Sequence, residues 1–461
     1  MKKYVVWLLV VVFSLSMALM GIGCKKTEVA ATTAAVETTA AGETTAAPAK
    51  EEAVGEQKTI VYWSLWNETE PNAKVFQEYA DKYHELHPEI DVKINFSGRE
   101  VLANAMPFIA AGNKIDIMDN HSETMLGQVV DTGQALSYEE LSKYLDGPDY
   151  NGNGTWKDTF NPGALDTYPG VIPYASYTVL FSINKAKWQE KGWAIPKTWD
   201  EFLALCEIIK NDGEMAPITN EFGAVQRNFT YTYMLLERIK GPGFLRSAVE
   251  DKTGKKWEDP AVRQVLEMVR ELFDKGYFLG GEASQGLQAP QGEQLLSQGK
   301  AAMCLSGSWL PVEQKDSVLD PNWVWGAFPV PTVSGGVGSR NDNENFLIGA
   351  VVYKDSDVIP EAIDFLKFMT TVENAQKFED IALSISPIKG TVPPESLSDV
   401  NDIMQNIDQS FMPYDGIRGY YPEYVESVLY KNHNPAFFGD ITIDEFVKAM
   451  VKDSISYWET Q

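Results

Sequence analysis

The sequence predicts an α/β protein with two or three core-bearing lobes. Three observations carry this. The chain has 461 residues, room for two or three domains that each bury a core. Its composition is that of a globular protein, 44% hydrophobic and 23% charged. After residue 57, β-branched and aromatic runs alternate with segments of helical period. The formal charge of −26, from 39 Lys+Arg against 65 Asp+Glu, repels a phosphate backbone and excludes nucleic acid as a partner. It equally opposes direct docking on an anionic membrane surface. Four histidines and three cysteines leave little material for a zinc site or a disulfide framework.

The first 57 residues read as address and tether. Met1-Lys2-Lys3 opens a basic start, residues 4–20 form an apolar run, and Gly21-Ile22-Gly23-Cys24 supplies small residues before a cysteine. That is the layout of a secretory signal, residues 1–23; the alternative is a retained N-terminal anchor, for which the run is short. From 24 to 57 the chain collapses to Ala, Thr and Glu without an aromatic residue, so it cannot offset its own ordering entropy. As a coil it spans roughly 30 Å, and about 110 Å at full stretch. A tether is expected, a cleavable pro-segment being the other reading. The remaining cysteines, Cys206 in a helical segment and Cys304 in a strand-like one, read as small buried hydrophobes rather than a bridge.

The body opens with KTIVYWSLW, a strand, then a turn, then a helix on which Val75, Tyr79 and Tyr83 recur at i+4 spacing and which Pro88 ends. DVKINF follows as a strand, completing a βαβ unit of the kind that builds parallel sheets. MPFIAAG reads as helix, IDIMD as a short strand, MLGQVVDTG as helix. Residues 166–184 are extended. Helices are expected at 199–210, 227–239, 260–275 and 291–298, and strands in AAMCLSG, WVWGAFPVP and NFLIGAVVY. The tail is helical, its last helix opening on the capping-box spacing Thr442…Glu445.

Several stretches together resemble the extracellular solute-binding proteins of ABC importers, in particular the carbohydrate-binding family that includes maltose-binding protein. They are GVIPYASYTVLFSINKAKW, IPKTWDEFLALCEII, LLSQGKAAMCLSGSW, WGAFPVP, EAIDFLKFMTTVENAQKF and GDITIDEFVKAMVKDSI, six in order over about 400 residues. Cys24 likewise resembles the acylated cysteine of bacterial lipoproteins, whose two or more chains suffice for stable anchoring. The resemblance implies a periplasmic-binding-protein type II fold: two α/β lobes, each a sheet flanked by helices, joined by a hinge. It implies lobe one at 58–178 plus 330–378, lobe two at 182–327 plus 388–461, and crossings near 178–181, 327–331 and 378–388. It implies a monomer on the outer face of the cytoplasmic membrane that captures a sugar or oligosaccharide between its lobes and passes it to a membrane permease.

Sugars are bound by stacking on aromatic rings and by planar polar side chains at strand ends and loops. By the resemblance, Trp66-Asn67-Glu68 after the first strand, and Asp119, Asn120 and Glu123 after IDIM, stand at ligand positions, though Trp66 equally suits packing at the lobe edge and His121 a surface role. Trp309, in Gly307-Ser308-Trp309, matches the family's stacking tryptophan. Tyr177, with Tyr174 behind it, lies on the approach to the hinge. Arg340, Asp342 and Asn345 form either ligand contacts or a solvated loop, and Arg418, Tyr420 and Tyr421 stand where the family places a late aromatic contact, with Arg418 and Tyr421 the candidates. Asn228 and Tyr231 suit core packing better. Asp149-x-Asn151-x-Asn153-Gly154 opens like a calcium loop, but Phe160 stands where the bidentate Glu belongs, so a plain turn is favoured and no metal or cofactor is expected. No G-x-S-x-G, HExxH or P-loop motif is present, so an enzyme is not favoured. Glu68, Asp119 and Glu123 would suit a cationic ligand, which leaves a peptide or polyamine binder as the alternative, alongside a ligand sensor.

Overall fold

The computed structural model describes residues 57–461. The leader, Cys24 and the tether lie outside the described residues. Among the described residues eleven strands are formed: β1 (Lys58–Ser64), β2 (Ile90–Phe96), β3 (Ile117–His121), β4 (Ile172–Tyr177), β5 (Val179–Asn184), β6 (Ala216–Thr219), β7 (Ala301–Gly307), β8 (Trp325–Phe328), β9 (Asn343–Glu344), β10 (Phe346–Val352) and β11 (Ser410–Phe411). The first sheet has the order β2-β1-β3-β10-β4 and the second β6-β7-β5-β8. In the first, β1 runs parallel to β2 and β3, while β10 is antiparallel to both β3 and β4. In the second, β6 and β7 are parallel and β5 is antiparallel to β7 and β8.

The βαβ unit reads from the sequence as it folds. Helix Pro71–Leu86 has Pro at its start and buries Val75, Phe76, Tyr79 and Tyr83 on one face; Pro88 lies two residues beyond its end, where the chain can no longer continue a helix. Helix Trp199–Asp212 and helix Ile443–Trp458 each carry a complete capping box, Thr198 with Glu201 and Thr442 with Glu445. Cys206 and Cys304 are free and buried.

Two large cores result. One gathers residues from Ile60 to Tyr177 and from Leu347 to Ile388; the other gathers Val179 to Val333 and Phe411 to Met450. The chain therefore passes between them at Thr178, between β4 and β5, returns at Asn345 between β9 and β10, and leaves again beyond Ile388. The return differs from the expected 327–331. Val330 and Val333 pack in the second core, and the buried Arg238 holds this stretch by donating to the carbonyls of Val330 (2.9 Å) and Asp342 (2.7 Å). An arginine 92 residues away in sequence thus moves the boundary, which no local pattern shows. The third passage lies later than 378, since Phe378 and Ile388 both remain in the first core.

Candidate functional site

Four strand ends converge where the cores meet. The C-terminal end of β4 brings Tyr177, the start of β10 brings Phe346, the end of β7 leads to Trp309, and the end of β3 brings His121. Trp309 meets Tyr177 at 6.0 Å between ring centroids and Phe346 at 5.9 Å, both edge-on, and His121 meets Phe346 at 4.7 Å. Trp309 packs against both large cores and is half-buried. Its ring folds back over Gly307: a Cβ there would lie 2.0 Å from the indole. That explains the glycine two residues before the tryptophan, since any side chain would displace the ring.

The ring is flanked by a charged cluster of the second lobe. Arg227 places its guanidinium 5.3 Å from the Trp309 centroid, within cation–π reach. Arg227 donates to Ser306 Oγ (3.3 Å) and Glu293 Oε1 (3.3 Å) and pairs with Glu221 at 3.2 Å. Burial raises the Glu221 carboxyl, the Glu293 charge adds to this, and Arg227 opposes it.

On the first-lobe side, Asp119 is fully buried and spends both oxygens on its own lobe. It accepts from Leu65 N (2.7 Å), Tyr62 Oη (2.8 Å), Ser64 Oγ (3.0 Å) and Tyr174 Oη (3.1 Å). Burial lifts its carboxyl to about 6 while these donors hold it down. Asp119 is a structural hub, which removes the strongest carboxylate from the ligand positions expected of it. Trp66 is buried too, its indole N–H given to Tyr174 Oη (3.0 Å) and its face covered by Arg99 at 4.8 Å. Asn120 accepts from the His121 amide (2.7 Å). Asn67 and Glu68 are exposed, Asn67 bonding Glu70.

A seam closes the far side. The turn around Ile417–Tyr420 of the second lobe lies on helix Ser122–Met125 of the first. A Cβ on Gly419 would stand 2.2 Å from the Glu123 carbonyl oxygen, and one on Gly127 would stand 2.9 Å from the Gly419 carbonyl. Glu123 is fully buried and its carboxyl is raised by burial, with Arg418 as the opposing positive charge. Burial pushes Glu344 up to about 8, Glu123 adding to this and Arg418 opposing it.

Trp309 and Tyr177 thus meet in one cluster, while Glu123 and Arg418 lie on the two sides of the seam. Asn345 stands near the passage, its amide oxygen accepting from Ser176 Oγ (3.0 Å). Asp342 does not join them: it accepts from Ser339 N (2.7 Å) and closes its own turn. Tyr421 points away, donating to Glu250 (2.9 Å) and packing on Trp458. Asn228 and Tyr231 are core residues. In the 149–158 stretch Asp149 Oδ1 accepts from the Asn153 amide (3.0 Å), the bond of a plain turn, and no group of three metal-ligating side chains occurs among the described residues. Sequence reading missed Arg227 and Phe346. Phe346 had a signal, the first residue of a clear strand; Arg227 had none. A surface groove of about 760 Å³ lies against β6, lined by Lys210, Met215, Leu279 and Leu295, and gathers none of these residues.

A family profile described as "Bacterial extracellular solute-binding protein" matches residues 66–376. The diacetylchitobiose binding protein NgcE of Streptomyces coelicolor is 25% identical over 64% of this chain and 63% of its own length, so the chain spans a little under two thirds of that relative. Among solved structures, a chitin oligosaccharide binding protein superposes with a TM-score of 0.71 at 21% identity over 87% of this chain and 98% of its own. The binding protein RafE in complex with raffinose gives 0.66 at 18% identity over 86% and 99%. The fold is therefore the two-lobed periplasmic-binding-protein type II architecture.

Proposed function

We propose that this chain, which belongs to the bacterial extracellular solute-binding protein family, captures a sugar or oligosaccharide between its two lobes for an ABC importer. The observation that carries the reading is the Trp309–Tyr177–Phe346 cluster at the junction of the cores. An aromatic platform held by strand ends of both lobes offers apolar faces to sugar C–H groups, with planar polar side chains at its edge for hydroxyls. The relatives named for diacetylchitobiose, chitin oligosaccharide and raffinose support the same ligand class.

Capture follows from the two-lobed build. Ligand resting on one lobe gains contacts from the other when they approach, and that differential affinity is what favours the closed form. The three passages at 178, 345 and beyond 388 serve as hinge. Closed protein then docks on a membrane permease. Cys24, acylated, holds the protein to the outer face of the membrane, and residues 24–57 give it reach. The polyamine reading is weakened by Asp119, whose oxygens are already spent inside its lobe.

A thermal-shift screen of the protein against mono- and oligosaccharides, peptides and polyamines tests this. Ligand at 100 times its dissociation constant adds about 2.7 kcal/mol, several degrees in Tm. A sugar-specific shift that Trp309→Ala abolishes is expected; a shift with polyamines or peptides alone overturns the sugar reading. Cys24→Ala releasing the protein from membranes into the medium tests the anchor.

A further inference from the structure

We infer that Arg227 is the specificity-determining hydrogen-bond donor to the ligand beside Trp309, a role that rests on the sugar-binding reading above. Two arginines on the same helix, Val225–Lys240, show the contrast. Arg238 is fully buried and directs its donors to backbone carbonyls of Val330, Asp342 and Arg340; it is a structural brace. Arg227 sits on the first turn of the helix, held by side chains rather than carbonyls. Its two carboxylate partners are 1% and 2% exposed, yet its own side chain remains 21% exposed.

A guanidinium has five N–H donors in a fixed plane. Ser306 accepts one N–H from Nη1 and Glu293 one from Nη2, and Glu221 stands beside Nε as an ion pair, which leaves one donor on each terminal nitrogen uncommitted among the described residues. Those two point from a rigid fork whose plane the three partners set, next to an indole whose orientation Gly307, Tyr177 and Phe346 set. A sugar stacked on an aromatic ring carries its hydroxyls at its rim, and a planar fork matches two neighbouring oxygens where an ammonium matches one. The structure therefore assigns Arg227 to a vicinal oxygen pair of a neutral sugar. Glu221 and Glu293 act as positioning residues: paired with the guanidinium from two sides, they fix its plane beside the indole.

The test is a binding cycle on the full-length protein, by calorimetry, with raffinose, diacetylchitobiose and the monodeoxy analogues of whichever binds more tightly. For wild type, one or two deoxygenations should cost about ten- to a hundredfold in Kd, the range of a hydrogen bond to a charged group. In Arg227→Met the same deoxygenations should cost less than about twofold, because the donors are gone, and Arg227→Lys should restore only part of the discrimination. Since Arg227→Met leaves two buried carboxylates without their counter-charge, the triple variant Arg227→Met/Glu221→Gln/Glu293→Gln repeats the measurement in a neutral setting. If the triple variant still discriminates the deoxy analogues as wild type does, the assignment of Arg227 is overturned while the sugar reading stands, provided Trp309→Ala has lost binding. If neither these sugars nor any other shifts the wild-type protein, both fall.

Discussion

Replacing Glu237 by Gln should flatten the fall of stability with rising pH. Glu237 is 1% exposed on helix Val225–Lys240. Burial, and then the charge of neighbouring Asp415, push its carboxyl from 4.5 up to about 10. Asp415 is the partner that keeps the charge, because it accepts from the backbone amides of Gly243 (2.8 Å), Leu245 (3.0 Å) and Arg246 (3.3 Å) at a helix start. With the folded value above the unfolded one, the native chain keeps a proton that the unfolded chain releases between pH 4.5 and 10. The stabilisation is whole below pH 4.5 and is lost as pH rises. The slope is at most about 1.4 kcal/mol per pH unit, so roughly 4 kcal/mol disappears between pH 5 and 8. Glutamine keeps the neutral shape and does not titrate. Urea unfolding of both proteins at pH 5, 6, 7 and 8, at fixed ionic strength, should show the variant gaining on wild type at each step. A difference that stays constant across that range would mean that Glu237 titrates normally, and would refute the reasoning.

The other expectations concern the site and its supports. Gly419→Ala forces backbone apart at the seam, at about 1–3 kcal/mol of overpacking; it should weaken sugar binding correspondingly and enlarge the radius of gyration in X-ray scattering. Arg238→Met strips three carbonyls of their buried donor and should cost about 3 kcal/mol, read as a Tm several degrees lower. Calcium or a chelator should move Tm by less than about one degree, since Asp149 is spent on its own turn; a clear calcium shift lost in Asp149→Ala would reverse that. Gly307→Ala should displace the Trp309 ring and reduce sugar affinity nearly as far as Trp309→Ala does, measured in the same titration.

What was legible in the sequence was what is decided locally. The Thr442…Glu445 cap, the strand at 301–307 and the helix stopped before Pro88 each follow from a few neighbouring residues, and each forms. Trp309 and Tyr177, named from the resemblance as ligand candidates, lie edge-on against each other. The roles that sequence reading misjudged depend on partners far along the chain. Asp119 looked like a ligand carboxylate until Tyr62, Ser64 and Tyr174, each more than 50 residues away, claimed its oxygens. Arg227 carried no signal because its meaning comes from Glu293 and Ser306, 66 and 79 residues on. The position of the second passage was misplaced for the same reason, Arg238 reaching across 92 and 104 residues.

The place of β10 in the first sheet sets an order of events during synthesis. β10 lies between β3 and β4, so β4, made by residue 177, has no sheet neighbour until residues 346–352 leave the ribosome. The first lobe cannot complete its sheet on its own early segment, and the whole second-lobe sheet is made in the interval. Such long-range pairing is slow to form. The lobe that is begun first is therefore finished last.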